Sequence, residues 1–99
     1  MEIRIQSIHF DADQKLLDYV QKRVGKVFTF FDNITGIDVY LKFDSAHSQI
    51  KEKAVEVKVS VPGSTLFASE QSLQFEEAVD KAVESLKRQL KRHKEKIQN

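Results

Sequence analysis

Apolar and polar residues alternate strictly in three stretches of the chain, and this period of two predicts half-buried β-strands. The three stretches cover residues 2–7, 37–44 and 54–61. Pro62-Gly63-Ser64 follows the third stretch and predicts a tight turn, because proline presets φ and glycine accepts a positive φ. A short fourth strand over residues 65–69 would complete a hairpin, and the polar residues 45–53 are predicted to form a loop.

Apolar residues spaced three and four positions apart predict a first amphipathic helix over residues 13–30. Its apolar stripe consists of Leu16, Leu17, Val20, Val24, Val27, Phe28 and Phe31. Asp13 fits the onset of this pattern as the N-cap, while Asp11 with Gln14 would form a capping box; we favour Asp13. Gly25 inside the helix costs about 1 kcal/mol relative to alanine, which indicates a close approach to the sheet.

A second helix is predicted to begin near residues 72–74 and to end at about residue 97. Its buried stripe consists of Phe75, Val79, Ala82, Val83, Leu86 and Leu90. At 1.5 Å per residue it would be roughly 36 Å long, whereas a domain of this size is roughly 26 Å across. No apolar residue occurs between Leu90 and Ile97. We therefore expect one domain over residues 1–99, with the basic end of this helix, about residues 91–99, projecting from it.

The order of elements is thus β-α-β-β-β-α, which predicts an α+β fold. A right-handed first crossover makes the first two strands parallel, and the later strands are antiparallel, which gives a four-stranded mixed sheet. One apolar stripe per helix, together with alternating strands, places both helices on one face of that sheet. The edge strands leave weak self-association open.

Composition and motifs exclude several classes of function. The absence of cysteine excludes disulfides, thiolate zinc sites and cysteine nucleophiles. The three histidines lack a metal-binding spacing, and nucleophile-elbow, phosphate-loop and dinucleotide motifs are missing, so we expect neither an enzyme nor a cofactor, metal or small-molecule substrate. Without a membrane-length apolar run or an apolar signal region, the chain is predicted to be cytoplasmic.

Most of the aromatic residues fall on predicted core stripes. The seven phenylalanines are better explained by packing than by base stacking. Phe30 and Tyr40 are the two aromatic residues whose positions in the apolar pattern allow their side chains to be exposed.

Positive charge is concentrated at the end of the second helix. The net charge is +1, yet residues 87–96 hold six cations and one anion. Acids at a helix start and bases at its end complement the helix dipole, but that effect fades within one turn, whereas this run covers nearly three turns. Lys22, Arg23 and Lys26 form a second cluster on the first helix. Together the two clusters predict a docking surface for a polyanion.

The basic end of the second helix reads Ser85-Leu86-Lys87-Arg88-Gln89-Leu90-Lys91-Arg92-His93-Lys94-Glu95-Lys96. This run resembles the Leu-x-Arg-Gln-Leu-x-Lys-x-Lys helix of bacterial ribosome hibernation promoting factors and ribosome-associated inhibitors. Tyr19-Val20 with Arg23 and Lys26 resembles that family's first helix, and Pro62-Gly63 resembles its hairpin. The family often has Asp-Met-Tyr where this chain has Gln74-Phe75-Glu76, and lysine where it has Ser85. The role of that tyrosine is therefore not carried over to this chain. One cation of the family pattern is also absent, because Ser85 takes its place.

The resemblance implies a short-form hibernation factor that binds the small ribosomal subunit in the mRNA and tRNA channel at the A and P sites. There it would contact ribosomal RNA, inhibit translation and stabilise inactive ribosomes in stressed or stationary-phase cells. The resemblance assigns RNA contacts to Arg23, Lys26, Arg88, Arg92, Lys94 and Lys96, and the local charge pattern adds Lys22, Lys87 and Lys91. The alternative is a protein-interaction module whose basic helix docks an acidic partner. The sequence does not determine whether ribosome dimers form, whether a helper factor is needed or what signals release.

Overall fold

The computed structural model of the protein describes residues 2–44 and 52–97. The elements are β1 (Ile3–Ser7), α1 (Gln14–Gly25), a 3-10 helix (Lys26–Thr29), β2 (Gly36–Asp44), β3 (Glu52–Val61), β4 (Ser64–Ser72) and α2 (Phe75–Ile97). This order confirms the predicted β-α-β-β-β-α fold. Of the loop predicted at residues 45–53, residues 45–51 lie outside the described residues.

The four strands form one sheet in the order β1-β2-β3-β4. β1 is parallel to β2, with Ile5 beside Val39. The other pairs are antiparallel, with Val39 beside Val57 and Val57 beside Ala68. Side chains in such a row point to the same face of the sheet. Val39, Val57 and Ala68 are buried, and Ile5 packs against the same core. The helices therefore cover this face, as the alternation predicts.

The β3–β4 hairpin is longer than its sequence pattern indicates. β3 begins at Glu52 and β4 ends at Ser72, so Lys53, which was assigned to a loop, pairs with Ser72 in the ladder. Two polar residues can extend a strand when an antiparallel partner satisfies their backbone groups. At the other end, Gly63 has a φ of 76°. Together with Pro62 before it, this angle fits a type II turn at the position where the sequence predicts a tight turn.

Helix α1 begins where its N-cap was predicted. The Asp13 Oδ1 atom accepts a hydrogen bond of 2.9 Å from the Leu16 backbone amide. The α-helix ends earlier than predicted, because the chain tightens into the 3-10 helix after Gly25. The explanation for Gly25 was wrong: a Cβ atom there would lie 3.9 Å from Ile3 Cδ1, which is an ordinary van der Waals distance. Close approach to the sheet therefore does not require glycine at this position.

Helix α2 is the longest element and spans roughly 34 Å at 1.5 Å per residue. The molecule measures 47 × 27 × 18 Å, so α2 must run mainly along its longest dimension. Every residue of the predicted apolar stripe on α2 is buried. The helix packs on β3 and β4 and against α1. This leaves the face of the sheet opposite both helices uncovered.

Side chains of α2 also reach the open edge of β4. Gln89 Nε2 donates a 2.9 Å hydrogen bond to the carbonyl oxygen of Phe67. Lys81 Nζ makes a longer contact of 3.5 Å with the carbonyl oxygen of Gln71. β4 pairs with β3 on one side only, and these two carbonyls lie on its other, unpaired side. Side chains of α2 thus satisfy two backbone acceptors of an edge strand.

The aromatic residues differ from the prediction in exposure. Phe30 and Tyr40 are half-buried, whereas Phe43 is 45% and Phe67 50% exposed. Phe43 lies at the end of the sheet where α2 begins, and its ring packs edge-on against Phe75. The strand pattern correctly places Phe43 on the helix-facing side of the sheet. The ring is nevertheless exposed, because neither helix extends over this end of the sheet.

Candidate nucleic-acid interface

Eight of the nine predicted RNA-contacting cations are exposed. They are Lys22 and Lys26 on the α1 side and Lys87, Arg88, Lys91, Arg92, Lys94 and Lys96 on α2. Within residues 2–44 and 52–97, none of these eight forms an ion pair. We call this set the cationic surface. Its charges are available to an external anion.

Arg23 differs from the other eight cations because it is bonded inside the protein. Its Nε atom donates to Asp80 Oδ1 on α2 at 2.8 Å. The Tyr19 hydroxyl donates to the same oxygen at 2.7 Å. The Arg23 side chain is only 29% exposed. Two residues one turn apart on α1 therefore hold one carboxylate of α2, and we call this group the Asp80 clamp.

The clamp shifts the pKa of each of its three members. Burial raises the pKa of Asp80, but the hydrogen bonds from Tyr19 and Arg23 and the charge of Arg23 outweigh it, so the net pKa is lowered. The hydrogen bond to Asp80 raises the pKa of Arg23 and is the largest cause of the raised pKa of Tyr19. At neutral pH the clamp is therefore an aspartate, an arginine cation and a neutral tyrosine.

A second contact joins α2 to the segment that follows α1. Lys87 Nζ lies 5.3 Å from the centroid of the half-buried Phe30 ring. This distance is within the range of a cation–π interaction, which is worth about 0.5–1 kcal/mol at an exposed site. Lys87 remains exposed, so the ring supports the ammonium group without removing it from solvent.

The last turns of α2 have grooves on both flanks. His93 packs edge-on against Phe31, with ring centroids 5.5 Å apart. On the same flank, Lys94 and Ile97 border a groove with residues 29–33. On the other flank, Arg92 and Lys96 border a groove with Ser64 and Leu66, and His93 lines this groove as well as contacting Phe31. The end of α2 thus presents cations to both sides, and the projection of residues 91–99 stays a prediction.

Arg88 lies where the acidic part of α2 meets the basic part. A shallow cleft beside it is lined also by Glu70, Asp80, Lys81 and Glu84. Three of these four neighbours are acidic, so the potential at Arg88 is less positive than at the helix end. The first turn of α2 has Glu76 and Glu77, and the last has Lys94 and Lys96. The charge gradient therefore runs along the helix axis.

Two of the residues that depart from the family pattern, Phe75 and Ser85, make structural contacts. Phe75 is buried and stacks on Phe10 with ring centroids 5.3 Å apart. The Ser85 hydroxyl accepts a 3.1 Å hydrogen bond from Gln89 Nε2, the same amide that contacts Phe67. Serine at this position therefore orients Gln89 instead of adding a cation.

The described residues offer no metal site and no membrane-spanning helix. Across residues 2–44 and 52–97, no three His, Asp or Glu side chains are close enough to hold a metal ion. No helix in this part of the chain is long and apolar enough to cross a membrane. What the arrangement can do is bind an extended or folded anion through charges on two helices.

Sequence reasoning did not assign a role to Tyr19, Asp80 or Phe30. Tyr19 and Arg23 are four residues apart on α1, and such a pair shares one helix face. That spacing is a signal for a joint contact, but it does not identify Asp80, which is 57 residues from Arg23. The partner of Phe30 could not be inferred because its contact depends on how α2 crosses the end of α1.

A family profile described as sigma 54 modulation protein / S30EA ribosomal protein matches residues 3–98. The chain belongs to this family. The S30EA match spans both helices and every residue of the cationic surface, and it confirms the resemblance inferred from the basic helix.

Two S30EA-type relatives are similar to this chain over most of their length. The ribosome hibernation promoting factor of Pseudomonas putida is 32% identical over 99 residues, which cover 100% of this chain and 92% of that protein. The ribosome hibernation promoting factor of Azotobacter vinelandii is 29% identical over 96 residues, which cover 97% and 85%. A ribosomal subunit interface protein from Coxiella burnetii shares the fold, with a TM-score of 0.83 and 24% identity over 95% of this chain and 98% of that one.

Proposed function

We propose that this protein is a ribosome hibernation factor that binds the small ribosomal subunit in the mRNA and tRNA channel at the A and P sites. It contacts ribosomal RNA through the cationic surface, blocks translation by occupying the channel and stabilises inactive ribosomes in stressed or stationary-phase cells. It acts in the cytoplasm and by occupancy, without catalysis.

The observation that carries this proposal is the cationic surface, whose eight exposed cations have no ion-pair partner in the described parts of the chain. Unpaired like charges on neighbouring helix turns repel one another, which costs stability unless an anion binds there. The names of the relatives in Pseudomonas putida and Azotobacter vinelandii support the ribosome as the source of that anion.

The aromatic residues near this surface favour recognition of phosphates over stacking of bases. Phe30 is half-buried beneath Lys87, and Phe31 is buried and contacts His93. Proteins that stack single-stranded bases present exposed rings next to their cations. We therefore assign the RNA contacts mainly to backbone phosphates, which position a protein on RNA without reading its sequence.

Co-sedimentation with purified small subunits tests the proposal. Arg88→Glu combined with Arg92→Glu should weaken association at least about tenfold, since each cation–phosphate contact is worth about 1 kcal/mol and about 1.4 kcal/mol is tenfold. The control is Lys15→Glu combined with Lys58→Glu, which changes the net charge equally at two exposed positions outside the cationic surface. We expect the control to bind within about twofold of the unmodified protein.

Equal binding by both double variants would show that the cationic surface is not the interface. Association of the unmodified protein should also weaken with salt, with a slope of about −0.7 to −0.9 in log affinity per phosphate contact over roughly 50 to 200 mM salt. A slope near zero would exclude the electrostatic mechanism. Capture that survives ribonuclease and recovers no ribosomes would instead identify an acidic protein as the partner.

A further inference from the structure

The groove between β4 and the last two turns of α2 has a floor and walls of different chemistry. Along the helix-facing row of β4, Ala68 is buried, Leu66 is half-buried and Ser64 is exposed. Exposure therefore rises toward the β3–β4 turn, because α2 covers Ala68 but leaves the start of β4 open. The space between them measures about 540 Å³. This volume lies within the range of about 300–1,000 Å³ that is typical of small-ligand sites.

One end of the groove is fixed by hydrogen bonds. Gln89 Nε2 donates to Phe67 O at 2.9 Å and to Ser85 Oγ at 3.1 Å. These bonds hold the Gln89 side chain against the edge of β4 and leave its Oε1 atom without a donor among the described residues. A fixed amide oxygen at the end of a groove can accept a hydrogen bond from a ligand amino or imino group.

The α2 wall of the groove is cationic. Arg92 and Lys96 are one turn apart and both line the groove, together with the half-buried His93, and Glu95 is its one acidic lining residue. Both cations are exposed, and neither forms an ion pair within residues 2–44 and 52–97. The Ser64 hydroxyl lies on the opposite wall and can donate a further hydrogen bond. Guanidinium, ammonium and hydroxyl donors together suit a phosphate group.

The floor distinguishes this groove from a simple phosphate site. Leu66 lines the groove with a half-buried apolar side chain, two residues from Ser64 on the same row of β4. A bare phosphate would leave most of the volume empty and the leucine uncovered. The geometry points to a nucleoside phosphate, with its base over Leu66, its polar base edge toward Gln89 and its phosphate on Arg92 and Lys96.

Such a nucleotide can come from two sources: an unpaired nucleotide of bound RNA or a free mononucleotide. The RNA source rests on the proposed function and adds a base pocket to a surface that otherwise contacts phosphates. The free source does not require the ribosome. In both cases the same groove residues contact the base and the phosphate.

Two substitutions separate the groove from the charge around it. Ser64→Phe places a ring into the groove and removes no cation. Thr65→Phe is the matched control, since Thr65 is the next residue on β4, is exposed and points to the opposite face of the sheet. Thermal unfolding of both variants checks that each is folded. If Ser64→Phe is unfolded, chemical-shift mapping on the unmodified protein still tests the groove.

The free-nucleotide arm is an NMR titration with each of the four ribonucleoside 5′-monophosphates and with inorganic phosphate. We expect saturable shifts of the Leu66 methyl and Gln89 side-chain amide signals with at least one nucleotide but not with inorganic phosphate. Ser64→Phe should weaken this binding at least about tenfold, and Thr65→Phe should not change it. Identical shifts with inorganic phosphate would overturn the base contact.

The RNA arm measures the affinity of the same variants for small ribosomal subunits. Weaker binding of Ser64→Phe but not of Thr65→Phe supports the groove with RNA as the source, and a response in the mononucleotide arm alone supports a free nucleotide. If Ser64→Phe changes neither arm and no groove signal shifts, the inference is overturned. The proposed function would survive that result as long as the unmodified protein still co-sediments with small subunits.

Discussion

Arg23 Nε lies 2.8 Å from Asp80 Oδ1, and this bond joins the two helices that carry the cationic surface. Arg23 therefore has an ion-pair partner within the protein, whereas Lys22 and Lys26 have none among residues 2–44 and 52–97. The geometry indicates that Arg23 positions α1 against α2. The cations on the two helices therefore keep a fixed spacing. A contact with RNA would have to use the Nη groups of Arg23, because its Nε atom is bonded to Asp80.

Comparison of Arg23→Gln with Lys22→Gln separates positioning from direct contact. Arg23→Gln should lower the free energy of unfolding by about 1 kcal/mol, because it removes a partly buried, charge-assisted hydrogen bond. Lys22→Gln should change it by less than about 0.5 kcal/mol but should weaken binding to small subunits. Urea denaturation and co-sedimentation measure the two effects. If Arg23→Gln retains full stability and loses binding as Lys22→Gln does, Arg23 contacts RNA directly.

Stability should fall in acid because the pKa of Asp80 and that of Asp38 are both lowered in the folded protein. A lowered folded-state pKa contributes stability that is present above the ordinary aspartate value of about 3.9 and is lost as the pH falls through the folded value. The urea midpoint should therefore decrease progressively below about pH 4. Asp80→Asn should start from a lower midpoint at pH 7 and lose less on acidification. An equally steep acid loss in Asp80→Asn would show that the clamp does not contribute.

The Lys87–Phe30 contact predicts a measurable coupling between the two side chains. In a double-mutant cycle of Phe30→Leu and Lys87→Met, we expect a coupling free energy of about 0.5–1 kcal/mol. Lys91→Met replaces Lys87→Met in the control cycle, because Lys91 is one turn further along α2 and makes no described contact with Phe30. The coupling in the control cycle should be close to zero. Equal coupling in both cycles would mean that the cation–π contact is not specific.

Gly25 and Gly63 should respond oppositely to alanine. Gly25 is helical and has room for a Cβ atom, so Gly25→Ala should raise the free energy of unfolding by about 0.5–1 kcal/mol. Gly63 has a φ of 76°, where an alanine side chain is strained. Gly63→Ala should therefore destabilise the hairpin by about 1 kcal/mol. Thermal or urea unfolding gives both values, and a loss of stability in Gly25→Ala would indicate a packing constraint around Ile3.

The fold was predictable because the elements have clear periods. Val39 and Val57 belong to strands with strict alternation, and their burial on one face follows directly from it. The stripe of α2 up to Leu90 was equally clear, since about four turns of helix repeat the same spacing. Local capping chemistry identified Asp13 correctly because its bond to Leu16 spans only three residues.

The parts of the site that were not predictable depend on contacts between distant elements. The family resemblance assigned an RNA contact to Arg23, whereas its bond to Asp80 is set by the packing of α1 on α2 and could not be inferred. The same limit applies to Phe43, whose position in the strand pattern is inward, although the helices do not cover that end of the sheet. The early end of α1 was missed because residues 26–29 keep apolar spacing while the backbone tightens into a 3-10 helix.

The hydrogen bonds from Gln89 and Lys81 to the edge of β4 have a consequence for the behaviour of the protein in concentrated solution. An exposed edge strand is a template on which other chains can add strands and form aggregates. On β4, two outward carbonyls already have donors from α2. A strand added at this edge would have to displace both donors, so the helix that carries most of the cationic surface also opposes polymerisation of the protein at this edge.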